Sequence, residues 1–386
     1  MHIFDEIVNR RGTDSLKYDF AKRYNKHEDA IPMWIADMDF RVPPEVTAAI
    51  QKCTGHGIYG YTETKEDYYQ SVYDWFADMH GYHVKSDWMV KTPGVVFALG
   101  MAIKALTAPG DAIIIQKPLY PPIESTILAN SRVAIDNSLV YGNGRYTIDI
   151  EDFKRKIAKH NARMFILCNP HNPVGRVWTK EELLAMGRIC KKHNCFVVSD
   201  EIHCDIVFEG HKHLVFSTLS KEFEDISIIC TAPSKTFNLA GLQVANIFIP
   251  NNKIRARFKH EITATGYSQL NTIGIAACKA AYKHCRYWHT MLMQYLTNNI
   301  NFVKNSLAAI PQIKPAPLEG TYLQWLDFSP LGLPHEKLEE KLVNAKVWPS
   351  NGMVFGTAGS GFFRVNLACP KAVLETAMER IINEFK

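Results

Sequence analysis

The sequence predicts an α/β protein: a large domain built on a mostly parallel sheet flanked by helices, followed by a smaller α+β domain. Three observations carry that expectation. The chain is 386 residues long, more than one ordinary core accommodates. From about residue 88, apolar runs of strand length alternate with amphipathic helical runs. The Pro-rich segment PQIKPAPLEG then breaks the rhythm, and the remainder reads strand, helix, strand, helix.

In chain order, the first 45 residues hold too little apolar sequence for a core of their own. They are expected to pack on the C-terminal unit or across a subunit interface. Residues 46–285 form the expected large domain and 286–386 the small one. WMVK (88–91) precedes a helix to about Leu106, AIIIQ (112–116) precedes one through Thr126, and RVAID (132–136) follows. MFILC (164–168) leads to a helix opened by a Thr179 and Glu182 capping box. CFVVSD (195–200), SIIC (227–230) and VANIFI (244–249) complete the set. Strands this apolar are buried on both faces, which is the signature of a parallel sheet covered by helices. Helices are expected over about 252–265, 270–284 and 287–308. In the tail, TYLQWLDF and FFRVNLA read as strands, HEKLEEKLVNAKV and PKAVLETAMERIINEF as helices.

Composition narrows the function classes. With 47% hydrophobic and 22% charged residues of both signs, the chain is an ordinary globular one. Its 44 basic and 39 acidic residues are scattered, so no arm for nucleic acid is expected. The start has acidic residues and no continuous apolar core, and no run of about 18 apolar residues occurs, so neither a signal peptide nor a membrane segment is expected and the location is taken as cytoplasmic. Nine cysteines, an odd number with no C-x-x-C pair, suit neither a disulfide framework nor a zinc site. Asp200, Glu201, His203, Cys204 and Asp205 sit close in sequence, but on an extended segment neighbours point to opposite faces, so no metal site is expected there.

Several strand ends carry residues suited to chemistry. Lys235, in TAPSKTF after the strand SIIC, lies where open α/β folds bind ligands, and desolvation there would make it a nucleophilic amine. An exposed loop lysine is the alternative. Asp200, in SDEIH at the end of another apolar strand, could face the same crevice and keep a pyridine nitrogen protonated. In KTPGVV, Thr92 is a candidate N-cap with Pro93 in the first helical turn, leaving the N–H groups of Gly94, Val95 and Val96 free for a phosphate. Glycine also occurs in such turns for packing alone. Asn172, in the loop NPHNPVGR, could donate to a phenolate oxygen or belong to a plain structural loop, and Tyr120 could stack on a flat cofactor. Arg364 is a charge inside the apolar run GFFRVN, suited to a substrate carboxylate or to a structural ion pair. Neither a Walker loop nor G-x-G-x-x-G is present.

The ordered set of phosphate turn, Tyr120, NP-x-NP-x-G loop, D-E-I-H strand end, S-K-T lysine and Arg364 resembles the fold-type I enzymes of pyridoxal 5'-phosphate (PLP), the aminotransferase class I/II superfamily, along nearly the whole chain. The resemblance implies the aspartate-aminotransferase-like fold. It implies that Lys235 is the Schiff-base lysine, Asp200 the partner of the ring nitrogen, Asn172 that of the phenolate and Tyr120 the stacking ring. Gly94, Val95, Val96 and Ser234 would hold the phosphate, with His203 also on the cofactor side. Arg364, Asn172 and Ala36 would meet the substrate. Tyr61, in GIYGYT, would reach the phosphate of a neighbouring subunit, making a homodimer with shared active sites.

The wording WIADMDF, DEIH and SKTFNLAGLQ is similar to the MalY/PatB-like carbon–sulfur β-lyases. His203 stands where aminotransferases usually have Tyr, and Gln243 where they have a cation. This implies a cystathionine or cysteine-conjugate β-lyase in sulfur amino acid metabolism and methionine biosynthesis. It would release a thiol, pyruvate and ammonia from cystathionine, cysteine or S-conjugates. An aminotransferase is the alternative, and a PLP-binding regulatory protein the third reading.

Overall fold

The computed structural model describes residues 2–386. Two sheets organise it. The larger contains β2 (Met89–Thr92), β3 (Ala112–Ile115), β4 (Val133–Asp136), β7 (Met164–Cys168), β8 (Phe196–Asp200), β9 (Ser227–Thr231) and β10 (Ala245–Phe248) in the order β2-β10-β9-β8-β7-β3-β4. Only β10 runs antiparallel to its neighbours; every other pairing in the sheet is parallel. β3, β7, β9 and β10 are buried along their whole length, as a sheet covered on both faces requires. A two-stranded hairpin, β5 (Val140–Gly142) and β6 (Arg145–Thr147), turns at Asn143-Gly144.

Local chemistry accounts for the helix starts. The capping box at Thr179 is present: its hydroxyl accepts the Glu182 N–H at 3.3 Å, and the Glu182 carboxylate accepts the Thr179 N–H at 2.8 Å. The expected cap at Thr92 is not. The helix Val95–Leu106 is capped by Gly94, and the Thr92 hydroxyl donates to the Gly94 carbonyl at 3.1 Å. Gly94 has φ +154°, which is costly for any residue with a Cβ, so the helix starts two residues later than the Thr-Pro pair suggests and Pro93 lies outside it.

The second sheet is β1 (Ile31–Met33), β11 (Lys314–Pro315), β12 (Leu323–Asp327), β13 (Val347–Asn351) and β14 (Phe362–Asn366), in the order β1-β13-β14-β12-β11. β1 pairs in parallel with β13, Ile31 opposite Val347. The helices Arg286–Ser306, His335–Asn344 and Lys371–Phe385 close one core over this sheet through Val303, Leu338, Leu342, Leu374 and Ile381. Among the described residues no helix is long and apolar enough to cross a membrane.

Candidate active site

β10 is antiparallel to both β2 and β9, so β2 runs with β9, β8, β7 and β3. The carboxyl ends of all five strands therefore share one edge of the sheet, where open α/β folds place their ligands. Asp200 is the last residue of β8, and the segments that follow the other four carry Gly94, Tyr120, Asn172 and Lys235.

Lys235 lies on the one-turn helix Pro233–Thr236 after β9. Its Nζ donates to the Ala36 carbonyl at 2.7 Å, and the Tyr322 hydroxyl donates to the same oxygen at 2.9 Å. Burial pulls the amine down to about 8; Asp37 opposes this, Arg364 adds to it and Asp200 opposes it. Ala36 is in turn held by its neighbours. Asn238 accepts from the Met38 N–H and donates to the Met38 and Phe40 carbonyls, while Asn366 donates to the carbonyls of Ile35 and Asp37.

Asp200 ends β8, and among the described residues its carboxylate accepts only the N–H of Ile202, at 3.2 Å. Burial lifts it to about 7, against that hydrogen bond and the Lys235 charge, with Glu201 adding to the rise. Among the described residues no cation bridges it. Glu201 faces elsewhere, accepting from Ser199, from the Phe216 N–H and from His213 at 2.8 Å.

Arg364, on β14, is 5% exposed and carries no carboxylate partner among the described residues. It donates to Asn172 Oδ1 at 2.7 Å, to the Trp34 carbonyl at 2.6 Å and to Ser350 Oγ at 3.1 Å, while its Nε has no partner. Its guanidinium lies over the Phe355 ring at 4.7 Å. Burial draws even this group down to about 10, although Tyr120 and Tyr322 oppose it. A buried cation without an anion is costly, and an incoming carboxylate is what relieves it. The hydrogen bond to Asn172 joins the second sheet to the loop after β7.

His203 is 3% exposed, and its Nδ1 has no hydrogen-bond partner among the described residues. Burial, then Lys235 and Arg364, hold its pKa well below the ordinary value, so it is a neutral ring edge-on to Tyr322 at 6.1 Å. Tyr120 caps the helix Pro121–Ala129, and its hydroxyl is pushed up by burial and by Asp200. Ser234 precedes Lys235 and makes no side-chain hydrogen bond among the described residues. Gly94, Val95 and Val96 open the helix after β2, where first-turn N–H groups have no intrahelical acceptor. A Cβ built at Gly94 would meet nothing within 4 Å, so the turn faces open space.

Thus Lys235, Asp200, Tyr120, Asn172, His203, Arg364 and Ala36 are linked by hydrogen bonds, ring contact or electrostatic influence. Tyr61 is not among them; it is 100% exposed, as are large parts of Ile58 and Tyr59 in the same loop. Sequence reasoning missed Tyr322, Trp34 and Ser350, which hold Ala36 and Arg364. It also expected an extended segment after Asp200. That segment is a turn, so Cys204 and Asp205 do converge, with His80, to within 4.8 Å. Hydrogen bonds already occupy both Asp205 oxygens, and burial pushes the Cys204 thiol up, so this group reads as a packed polar network. A cavity of about 1120 Å³ is lined by Phe4, Arg10, Asp37, Asn238 and Trp288 and contains none of Lys235, Asp200, Asn172 or Arg364.

Comparison with known proteins gives the family. The aminotransferase class I and II family matches residues 28–381. The cystathionine beta-lyase PatB of Bacillus subtilis (strain 168) is 41% identical over 98% of this chain and 98% of its own. The protein MalY of Escherichia coli (strain K12) is 30% identical over 100% and 99%. The crystal structure of cystalysin from Treponema denticola, which contains a pyridoxal 5'-phosphate cofactor, superposes with a TM-score of 0.95 at 36% identity, covering 100% of this chain and 98% of that one. The chain belongs to the aminotransferase class I and II family, in the branch similar to PatB and MalY.

Proposed function

We propose that this protein is a PLP-dependent carbon–sulfur β-lyase of the cystathionine or cysteine-S-conjugate type. The observation that carries the reading is the buried Arg364 with no carboxylate partner, beside Lys235 and Asp200 in a chain similar to PatB.

The residues present fit the cofactor. Lys235 offers an amine for an aldehyde. Asp200 is a buried carboxylate lacking a cation, which a protonated ring nitrogen would supply. The Asn172 carbonyl is engaged by Arg364, leaving its amide N–H for a phenolate oxygen. The open turn at Gly94, Val95 and Val96, with the Ser234 hydroxyl, suits a phosphate. Tyr120 suits the ring face and the unpartnered His203 its edge.

When bound, the cofactor supplies an electron sink for the charge left at the substrate's Cα. Arg364 holds the substrate carboxylate, with the backbone at Ala36 as the opposite wall. Lys235, whose amine burial pulls down to about 8, takes the Cα proton as general base. The Cβ–S bond then breaks, its electron pair leaves with sulfur as a thiolate, and the three-carbon remainder hydrolyses to pyruvate and ammonia. Tyr61, fully exposed in one chain, fits the phosphate of a second copy, so that two subunits would share their sites.

The test is pyruvate formation from L-cystathionine by purified protein with PLP and no keto acid, following free thiol in parallel. Stoichiometric pyruvate and thiol, both lost in Lys235→Ala, support the β-lyase. No pyruvate, with cofactor absorbance that bleaches and is restored by a keto acid, would make the protein an aminotransferase.

A further inference from the structure

Lys235 must deliver one nitrogen to one proton, yet the helix that carries it is a single turn, Pro233–Thr236. Within it the Phe237 N–H reaches the Pro233 carbonyl at 2.9 Å, and the Leu239 N–H reaches Ser234 at 3.1 Å. A helix this short has no stability of its own, so its orientation must be imposed from outside.

The strongest side-chain restraint is on the next residue. Thr236, 1% exposed, donates its hydroxyl to Asp205 Oδ2 at 2.6 Å. Asp205 is itself immobilised. Its Oδ1 accepts from Trp75 Nε1 at 3.0 Å and pairs with His80 Nε2 at 2.8 Å, and its backbone carbonyl accepts from His289 Nε2 at 2.7 Å. Trp75 and His80 come from the helix Glu66–His80 and His289 from the helix Arg286–Ser306. Asp205 therefore ties the lysine's turn to two long helices, through its carboxylate to the first and through its backbone carbonyl to the second. An ion held by His80, Cys204 and Asp205 would have to displace those donors, so the network is better suited to bracing than to metal binding.

We propose that Asp205 is a positioning residue for Lys235, acting through the hydroxyl of Thr236; the inference rests on Lys235 being the reacting lysine. Without this hydrogen bond the turn keeps its backbone but can tilt about β9, carrying Nζ away from the Cα proton. Substrate binding through Arg364 is untouched, because Arg364 reaches Asn172, Trp34 and Ser350 and not this network.

The holoenzyme variants Thr236→Val, which keeps the shape and loses the hydroxyl, and Thr236→Ser, which keeps the hydroxyl, test it. For Thr236→Val, kcat on L-cystathionine is expected to fall about 100-fold, the size of effect a misplacement of about 1 Å produces, with KM within about threefold. The visible circular dichroism of bound cofactor, per mole bound, should change with it, since that signal follows the chromophore's orientation and not the protein's stability. Thr236→Ser should recover both. Unchanged kcat and dichroism in Thr236→Val, or an equal loss in Thr236→Ser, overturns the proposal. If Thr236→Val does not fold, Thr236→Ala, smaller than the native side chain, is read in the same way. Wild-type protein that forms no visible lysine–cofactor absorbance would instead overturn the reading of Lys235, a result distinguishable from either variant outcome.

Discussion

Replacing Asp200 by Asn should make the cofactor-free protein more stable while abolishing its activity. The carboxyl titrates near 7 instead of its ordinary 3.8, because burial removes water and only the Ile202 N–H takes its place. A group whose folded pKa is raised binds its proton more tightly in the folded state. Wild-type stability is therefore lost as pH rises from about 4 to about 7, and the loss stays constant above that. At 1.36 kcal/mol per pH unit the ceiling is about 4 kcal/mol, and relaxation around the site brings the expected figure to roughly 2–4 kcal/mol. For a chain of 386 residues this corresponds to roughly 2–5 °C in the unfolding midpoint. Thermal melts of cofactor-free wild-type and Asp200→Asn protein at pH 4.5, 6 and 8 give the answer. The two should melt together at the acid end and the variant should melt higher at pH 8. A variant no more stable than wild type at pH 8, or a gap independent of pH, would show that Asp200 is not the strained carboxylate described above.

Other outcomes follow from the same geometry. Arg364→Lys keeps the charge but loses the fork that reaches Asn172, Trp34 and Ser350, so kcat/KM for amino acid substrates should fall about 10- to 100-fold, mostly through KM, in steady-state assays. Gly94→Ala meets no protein atom, so its cost should be only about 1 kcal/mol from the φ of +154° while PLP affinity, read by equilibrium dialysis, drops at least tenfold. Lys235→Ala and Tyr61→Ala proteins, each inactive alone, should regain about a quarter of wild-type sites when unfolded and refolded together, because a mixed dimer holds one intact site. Activity that stays at the sum of the parents would place Tyr61 outside the shared site.

The central sheet and the residues at its carboxyl edge were legible because each is local. An apolar run followed by a Gly, Pro or Asn turn marks a buried strand and its exit, and Lys235, Asp200, Asn172 and Tyr120 sit in such exits. What could not be read depends on distant pairs. β13 contains Pro349, which argues against a strand, yet it pairs with β1 on one side and β14 on the other, bringing Ser350 opposite Arg364. Trp34 reaches Arg364 through a backbone carbonyl, which leaves no trace in residue type. Tyr322 looked like one more apolar strand residue, and its hydroxyl gains meaning only beside Ala36, 286 positions away. The turn after Asp200 was misjudged because DEIHCD continues an apolar strand without a Gly or Pro to end it.

The parallel pairing of Ile31 with Val347 sets an order of events during synthesis. At about 5–20 residues per second, β1 leaves the ribosome roughly 15–60 s before its partner strand exists. The central sheet can assemble in that interval, since all its strands lie between Met89 and Phe248. Ala36, however, takes its place against Lys235 only once the segment before it has joined the second sheet, and Arg364 arrives later still. The nascent chain would therefore expose the lysine's pocket before it can grip an amino acid. Cofactor capture would then precede substrate competence, and supplying PLP during translation, as opposed to afterwards, would be expected to raise the yield of folded protein.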